Sequence, residues 1–124
     1  MEWQQITYDE FTKRAKKWNQ KRRYTRELKA MLSNYETIVE TLSLGANPDQ
    51  IIKFGFVHPE PKGMWAIDQK GAGPGVAETR MYVFAEKENK TLHVFTIGTK
   101  ETQESDIRNC VSEIDGLLAK VGDK

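Results

Sequence analysis

Cysteine and histidine are scarce in this chain, and their scarcity limits its chemistry. Cys110 is the only cysteine, so no disulfide can form within the chain, and a reducing compartment is expected. One cysteine and two histidines do not supply a zinc-ligand cluster. We expect Cys110 to be a small buried residue, with a reactive thiol as the alternative. His58 is expected at the surface or in a position that supports other site residues. His93 is expected to be a partly buried, hydrogen-bonded strand residue, with acid–base chemistry as the alternative.

Long apolar runs are also missing. The longest apolar runs are only a few residues, such as 54–57, so no segment is long enough to span a membrane. The first ten residues, MEWQQITYDE, have no apolar stretch of the kind found in secretory signals. The expected location is therefore the cytoplasm.

Motifs for cofactors, metals and nucleophilic catalysis are missing as well. The glycine-rich segment 70–75 has no Lys-Ser/Thr pair of a phosphate-binding loop, and no dinucleotide fingerprint joins a strand to a helix. The acidic residues do not follow the pattern of a calcium loop. We therefore expect neither a cofactor nor a metal. Segment 70–75 is interpreted as a connecting loop, with the edge of a substrate site as the alternative.

Charge is unevenly distributed, although the net charge is only +1. Residues 1–30 contain nine Lys or Arg and four Asp or Glu, whereas residues 101–124 contain three and six. This distribution permits a polyanionic partner, and a solvated helix face is the alternative. Trp3, Trp18 and Trp65 are interpreted as core or core-edge residues, with base stacking as the alternative.

Two helices are predicted in the first part of the chain. The segment Thr7–Glu10 has the spacing of a capping box, and apolar residues at helical spacing follow to about residue 19. A continuous apolar stripe over Leu28–Leu42 predicts the second helix, and Gly45 ends it. A short strand at residues 3–6 is predicted before the first helix.

Three strand candidates rich in aromatic and β-branched residues follow at 63–68, 78–86 and 91–97. The polar turn KENK makes the last two a hairpin. An apolar stripe over Ile107–Val121 predicts a closing helix. The order β-α-α-β-β-β-α predicts one α+β domain over residues 1–124. In it, a two-helix N-terminal hairpin and a C-terminal helix pack on a small antiparallel sheet.

Two cations at one end of the predicted hairpin are the main functional candidates. Arg80 is flanked by apolar residues in a strand, where an unpaired guanidinium is costly to bury. The hairpin places Arg80 opposite a residue near Ile97, so Lys100 lies at the same end of the sheet. With a phenol and an amide nearby, Tyr82 and Gln103, the two cations could stabilise charge on a phosphate. The alternative is that they form surface ion pairs, Arg80–Asp106 or Lys100–Glu104.

An ordered set of motifs covers about residues 63–110. A glycine-rich turn is followed by an Arg-x-Tyr strand, a second apolar strand, a Gly-x-Lys-x-Thr-Gln segment and Asp-Ile. The matching residues are Gly73, Gly75, Arg80, Tyr82, Gly98, Lys100, Thr102, Gln103, Asp106 and Ile107. This order resembles the addiction-module killer proteins of the HigB-like branch of the RelE/ParE toxin superfamily.

The resemblance implies a compact toxin that a cognate antitoxin protein inactivates. Many such toxins cleave mRNA on the ribosome without a metal: the 2′-hydroxyl attacks the adjacent phosphate, so the protein moves protons and neutralises charge. By resemblance, Arg80 would contact the scissile phosphate and Lys100 would stabilise developing charge. Gln103 would orient the loop or the substrate, and Tyr82 would stack or donate a hydrogen bond.

The expected macromolecular partners are the ribosome, mRNA and the antitoxin. The candidate RNA-binding cations are Lys13, Lys17, Arg22, Lys62 and Lys70. Two alternatives remain within the same superfamily: a gyrase-directed toxin that acts by protein–protein contact, and a member that only binds a partner protein.

Overall fold

The computed structural model describes residues 2–122, and the side chains of residues 2–120. The regular elements in chain order are β1 (Gln4–Thr7), α1 (Asp9–Gln20), α2 (Thr25–Ser43), β2 (Val57–Pro59), β3 (Trp65–Ile67), β4 (Thr79–Glu86), β5 (Thr91–Thr99) and α3 (Gln103–Gly122). Short 3₁₀ helices occur at Pro48–Lys53, Pro61–Gly63 and Lys100–Thr102. Within the described part of the chain, no helix combines the length and the apolar character that a bilayer crossing requires.

The five strands form one mixed sheet in the order β1-β5-β4-β3-β2. Strands β2 to β5 pair antiparallel, whereas β1 runs parallel to β5 at the edge. The α+β class is therefore confirmed, but the expectation of a purely antiparallel sheet was wrong. No tight turn joins β1 to β5, so nothing local in the sequence determines the direction in which they pair.

Helices cover both faces of the sheet. Met81 and Val83 of β4 pack in the cluster that includes α1 and α2, whereas Tyr82 and Phe84 pack in the cluster that includes α3. We call these the α1–α2 face and the α3 face. Cys110 of α3 is buried in the second cluster, as expected for a small core residue. The side chain of Val121, expected in the apolar stripe, lies outside the described side chains.

The first helix begins differently from the prediction. Its N-cap is Tyr8, which makes no side-chain cap hydrogen bond, so the predicted Thr7–Glu10 capping box was wrong. Thr7 is instead the last residue of β1 and pairs with Val94. Glu10 forms an ion pair with Arg14 one turn further on, with 2.9 Å between Oε1 and Nε. Thr7, which the local pattern predicted as the helix cap, therefore belongs to the sheet.

A bulge in the central hairpin changes which residue faces Arg80. Tyr82 pairs with Thr96 but its neighbour Val83 pairs with Val94, so one residue of β5 is left over between them. Beyond this bulge the register moves by one position, and Arg80 lies opposite Gly98 instead of Ile97. The shift returns Ile97 to the α1–α2 face, where it is fully buried.

Candidate functional site

Arg80 and Lys100 lie at the same end of the sheet. Arg80 pairs with Gly98 and Thr79 pairs with Thr99, so Lys100, the first residue after β5, lies near the start of β4. The Arg80 guanidinium donates to the Thr79 carbonyl at 2.9 Å, and Lys100 Nζ lies 3.6 Å from Glu78 Oε2. Both partners of that ion pair are mostly exposed, which leaves the ammonium open to an anionic ligand.

Neither predicted ion pair is formed among the described residues. Lys100 pairs with Glu78 instead of Glu104, and Asp106 pairs with Arg14, at 2.8 Å between Oδ1 and Nη1. Arg14 was not singled out in the sequence, because a separation of 92 positions from Asp106 hides the contact. Among the described residues, the Arg80 guanidinium therefore has only a backbone carbonyl as a hydrogen-bond acceptor.

Tyr82 is fully buried under α3. Its hydroxyl has no hydrogen-bond partner among the described residues. Burial raises the pKa of Tyr82, and the carboxylates of Asp106 and Glu60 raise it further. With no exposed ring face, Tyr82 supports the sheet beneath the site and does not offer a stacking surface.

Gln103 is the first residue of α3 and is half-buried. It follows the 3₁₀ turn Lys100–Thr102 directly, which places it beside Lys100 in the chain. Its side chain makes no hydrogen bond to any described residue, so its amide is available to a ligand.

His58 and Asp68 form a hydrogen-bonded pair that the sequence did not reveal. His58 Nε2 lies 2.7 Å from Asp68 Oδ2, and the other carboxylate oxygen accepts the Lys70 backbone N–H at 2.8 Å. His58 pairs with Ala66, which pairs with Tyr82, so its side chain is on the α3 face. The imidazole is 41% exposed. With Nε2 bonded to a carboxylate, Nδ1 is the nitrogen left for a substrate.

Glu60 lies one residue beyond β2 and is half-buried. Burial raises the pKa of this carboxyl group, and the charges of His58 and Arg80 partly offset the rise. Because the charges of His58 and Arg80 both lower this pKa, both residues lie within electrostatic reach of Glu60. We refer to His58, Glu60, Asp68, Arg80 and Lys100 as the polar corner.

Two residues of the motif, Thr102 and Asp106, form a structural joint together with Arg14. Asp106 is buried and accepts hydrogen bonds from Thr102 Oγ1 at 2.7 Å and from Arg14. Arg14 also donates a hydrogen bond to the backbone carbonyl of Ile97 at 2.9 Å. Ile97 lies in β5, beyond the residues of β5 that pair with β1. The joint thereby fastens α1, β5 and α3 together behind Gly98.

The five predicted RNA-binding cations do not form one patch. Lys13, Lys17 and Arg22 are exposed on α1 and the loop after it. Lys62 is on the α3 side, where it forms an exposed ion pair with Asp115 at 3.4 Å. Lys70 lines a separate cleft together with Arg26, Lys29, Asn34 and Gly71.

His93 is buried and hydrogen-bonded, as its place in a strand predicted. Nδ1 lies 2.9 Å from the Tyr8 hydroxyl and Nε2 lies 3.0 Å from Glu86 Oε1. Burial, followed by the charges of Glu113 and Glu86, raises the pKa of Tyr8. Because His93 is only 4% exposed, a substrate cannot reach it directly.

Comparison with known proteins adds nothing to this geometry. No protein family, no curated protein and no solved structure matches the chain. Among residues 2–122, no three His, Cys, Asp or Glu side chains come together as a metal-binding group.

A cleft of about 540 Å³ with Trp65, Phe84 and Leu118 in its lining opens at the far end of the sheet. It contains neither Arg80 nor His58, but Glu60 lies in its lining, between this cleft and the other residues of the polar corner.

Proposed function

We propose that the protein is a metal-independent endoribonuclease whose active site is the polar corner. The observation that carries the proposal is the His58–Asp68 pair on the same sheet face as Arg80, with Glu60 in electrostatic reach. Cleavage of RNA by its own 2′-hydroxyl needs one proton acceptor, one proton donor and a cation for the phosphate. The corner supplies all three kinds of group.

His58 is the proposed general base. Asp68 holds Nε2, so Nδ1 of the neutral imidazole accepts the proton of the 2′-hydroxyl as its oxygen bonds to phosphorus. The bond from phosphorus to the 5′-oxygen breaks, and Glu60 donates a proton to the leaving oxygen. The products are a 2′,3′-cyclic phosphate and a 5′-hydroxyl. A carboxyl group whose pKa is raised by burial keeps its proton to higher pH, which suits a donor.

Arg80 and Lys100 have the electrostatic roles in this proposal. In it, the Arg80 guanidinium contacts the non-bridging phosphate oxygens and the exposed ammonium of Lys100 adds a second positive charge; the mostly exposed Lys100 side chain supports this role. Gln103 orients the substrate beside Lys100. Tyr82 lies beneath these groups and supports their strand.

The biological setting of the proposal comes from the resemblance to RelE/ParE toxins. We propose a toxin of a type II toxin–antitoxin pair, with a two-helix N-terminal hairpin as in that superfamily, that a cognate antitoxin inhibits. Its substrate is mRNA on the ribosome, which places it in the cytoplasm. The order of strands and helices along the chain supports this proposal.

Induced expression followed by primer-extension mapping of transcripts tests the activity. We expect new 5′ ends within translated messages, and purified protein should leave 2′,3′-cyclic phosphate ends on RNA. Arg80→Ala and His58→Ala should each lower cleavage about 100-fold or more. The matched control is Arg108→Ala, which removes an exposed cation from α3.

Wild-type cleavage rates in Arg80→Ala and His58→Ala would show that the polar corner is not the active site. DNA damage without transcript cleavage would instead support the gyrase-directed alternative. Growth inhibition without either effect would support a protein that only binds a partner.

A further inference from the structure

A second cleft borders the polar corner on the other side of Lys100. Its volume is about 380 Å³, and it lies between the end of α1, the loop that follows and the end of β5. Trp18 and Tyr24 line it with ring centroids 4.8 Å apart and planes inclined by 58°. We call it the aromatic cleft.

Tyr24 reaches this cleft through an unusual backbone conformation. Its φ of 56° and ψ of 30° are left-handed, a region that bulky residues other than glycine rarely adopt. Such a conformation costs on the order of 1–3 kcal/mol and persists where the surrounding structure enforces it. Here Arg23 N–H donates to the Trp18 carbonyl at 2.9 Å, and the Tyr24 ring packs against the Trp18 ring. The strain sets an aromatic ring at the rim of the cleft.

Cations surround the two rings. Lys17, Lys21 and Arg23 line the cleft and are exposed. Within residues 2–122 none of the three forms an ion pair, whereas Arg14 behind them is held by Glu10 and Asp106. Their charge is thus available to an anion in solvent. Only one carboxylate, that of Glu101, lines the same cleft.

Ring faces beside unpaired cations match the chemistry of single-stranded nucleic acid. Bases stack on aromatic side chains when they are not paired, and phosphates are neutralised by neighbouring Lys and Arg. In a duplex the bases are stacked on each other and cannot reach a ring. A cleft of this kind therefore favours an unpaired nucleotide over a paired one.

We propose that the aromatic cleft binds one unpaired nucleotide of the RNA strand. Its base stacks on Tyr24 beside Trp18, and its phosphates contact Lys21 and Arg23. The inference rests on the proposed function for the direction of the strand: Thr99 and Thr102, which flank Lys100 and Glu101 in the chain, line the cleft, so the strand continues from it into the polar corner.

Equilibrium binding of a short RNA with 2′-O-methyl groups tests the inference independently of cleavage. The methyl group removes the nucleophile, so a fluorescence-anisotropy titration measures binding alone. Tyr24→Asn should weaken binding about tenfold, because Asn tolerates the left-handed conformation but has no ring. Tyr24→Phe keeps the ring and should bind like the wild type. Thermal unfolding of each variant should show that the fold is retained.

Lys21→Gln with Arg23→Gln should weaken binding and flatten its dependence on salt by about 0.7 in log–log slope for each lost phosphate contact. Lys16→Gln is the matched control, because Lys16 is an exposed cation of α1 that does not line the cleft. A duplex of the same length should bind more weakly than the single strand.

Either of two affinity measurements would overturn the inference: wild-type affinity in Tyr24→Asn, or equal affinity for single strand and duplex. A loss of affinity that only follows a loss of folded protein would do the same. Failure of the proposed function gives a different pattern. If no RNA is cleaved but Tyr24→Asn still loses binding, the aromatic cleft stands and the nuclease assignment falls.

Discussion

Gly98 shows how a single residue is constrained by contacts far away in the chain. It lies opposite Arg80 on β5, and the space above its Cα is occupied by the side chains of Thr102 and Asp106. A Cβ at this position would overlap the Asp106 carboxylate and would lie 2.7 Å from Thr102 Oγ1. The motif glycine is therefore required by packing and not by backbone freedom.

Gly98→Ala should destabilise the protein by about 1–3 kcal/mol or more, because the added methyl displaces a buried carboxylate from its hydrogen bonds. Urea denaturation measures the change. The matched control is Gly116→Ala in α3, where a Cβ meets nothing within 4 Å. There, alanine should stabilise the helix by about 0.5–1 kcal/mol. Equal midpoints for Gly98→Ala and the wild type would contradict the packing account.

The loop between β3 and β4 is an element whose position depends on α2. Glu27, a buried residue in the first turn of α2, accepts the Ala77 backbone N–H at 2.9 Å. Asn34 Nδ2 donates to the backbone carbonyls of Asp68 and Lys70, each at 3.1 Å. Since this loop joins Asp68 to Arg80, α2 positions two parts of the polar corner without contributing a residue to it.

Glu27→Ala should loosen this loop and lower stability by about 1.5–3 kcal/mol, since the lost hydrogen bond involves a charged acceptor. Hydrogen exchange should quicken in residues 71–78 more than elsewhere. Glu36→Ala is the control, because Glu36 is exposed on the same helix. Unchanged exchange at the loop in Glu27→Ala would mean that other contacts hold it.

At the scale of the whole molecule, charge is separated although the total is nearly zero. The cations of the aromatic cleft, the Lys70 cleft and the polar corner all lie toward the end of the sheet where β4 begins and β5 ends. The cleft at the far end is lined by the carboxylates Asp49, Glu86 and Glu88 together with the two cations Lys62 and Lys87. A net charge of +1 thus conceals a surface with one cationic end.

Each of the two hydrophobic clusters contains a side chain that burial keeps neutral: the phenol of Tyr35 in one and the thiol of Cys110 in the other. Burial raises the pKa of Cys110 from 9.0 to about 12 and that of Tyr35 from 10.0 to about 12. Folded protein therefore holds these protons to higher pH than unfolded protein does. The stability due to the neutral groups is fully present below pH 9.0 and is lost as pH rises toward 12.

Urea midpoints measured from pH 7 to pH 11 should fall above about pH 9. In Cys110→Ala the decline should begin closer to pH 10, the ordinary pKa of tyrosine, because the first group to ionise in the unfolded chain has been removed. For each protein, the urea midpoint at high pH is compared with its own midpoint at pH 7. The loss of stability caused by the smaller alanine side chain therefore cancels. An identical decline in both proteins between pH 9 and 10 would show that Cys110 has no such role.

Much of the fold could be predicted because its signals are local. The stripe over Leu28–Leu42 and the turn at Gly45 predicted α2, which ends at Ser43 with Gly45 at a φ of 99°. Aromatic and β-branched runs predicted β4 and β5. In each case neighbours in the sequence make the contacts that form the element, so periodicity alone is informative.

The candidate site was less predictable, because its residues meet only after the sheet has formed. The β4–β5 hairpin indicated that Arg80 and Lys100 share one end, but the bulge that sets Gly98 opposite Arg80 depends on core packing. The His58–Asp68 pair requires the short edge strand β2, whose prolines had argued only against a central strand.

The sequence by itself determined the three helices and the β4–β5 hairpin, since these depend on residues that are near each other in the chain, whereas the edge strand β2 was not predicted. Tertiary structure alone decided the parallel pairing of β1, the Arg14–Asp106 joint and the left-handed Tyr24. Each of these is stabilised by partners elsewhere in the fold: backbone groups of another strand, a carboxylate 92 residues away, or the ring of a preceding helix. Local propensity carries no information about such partners.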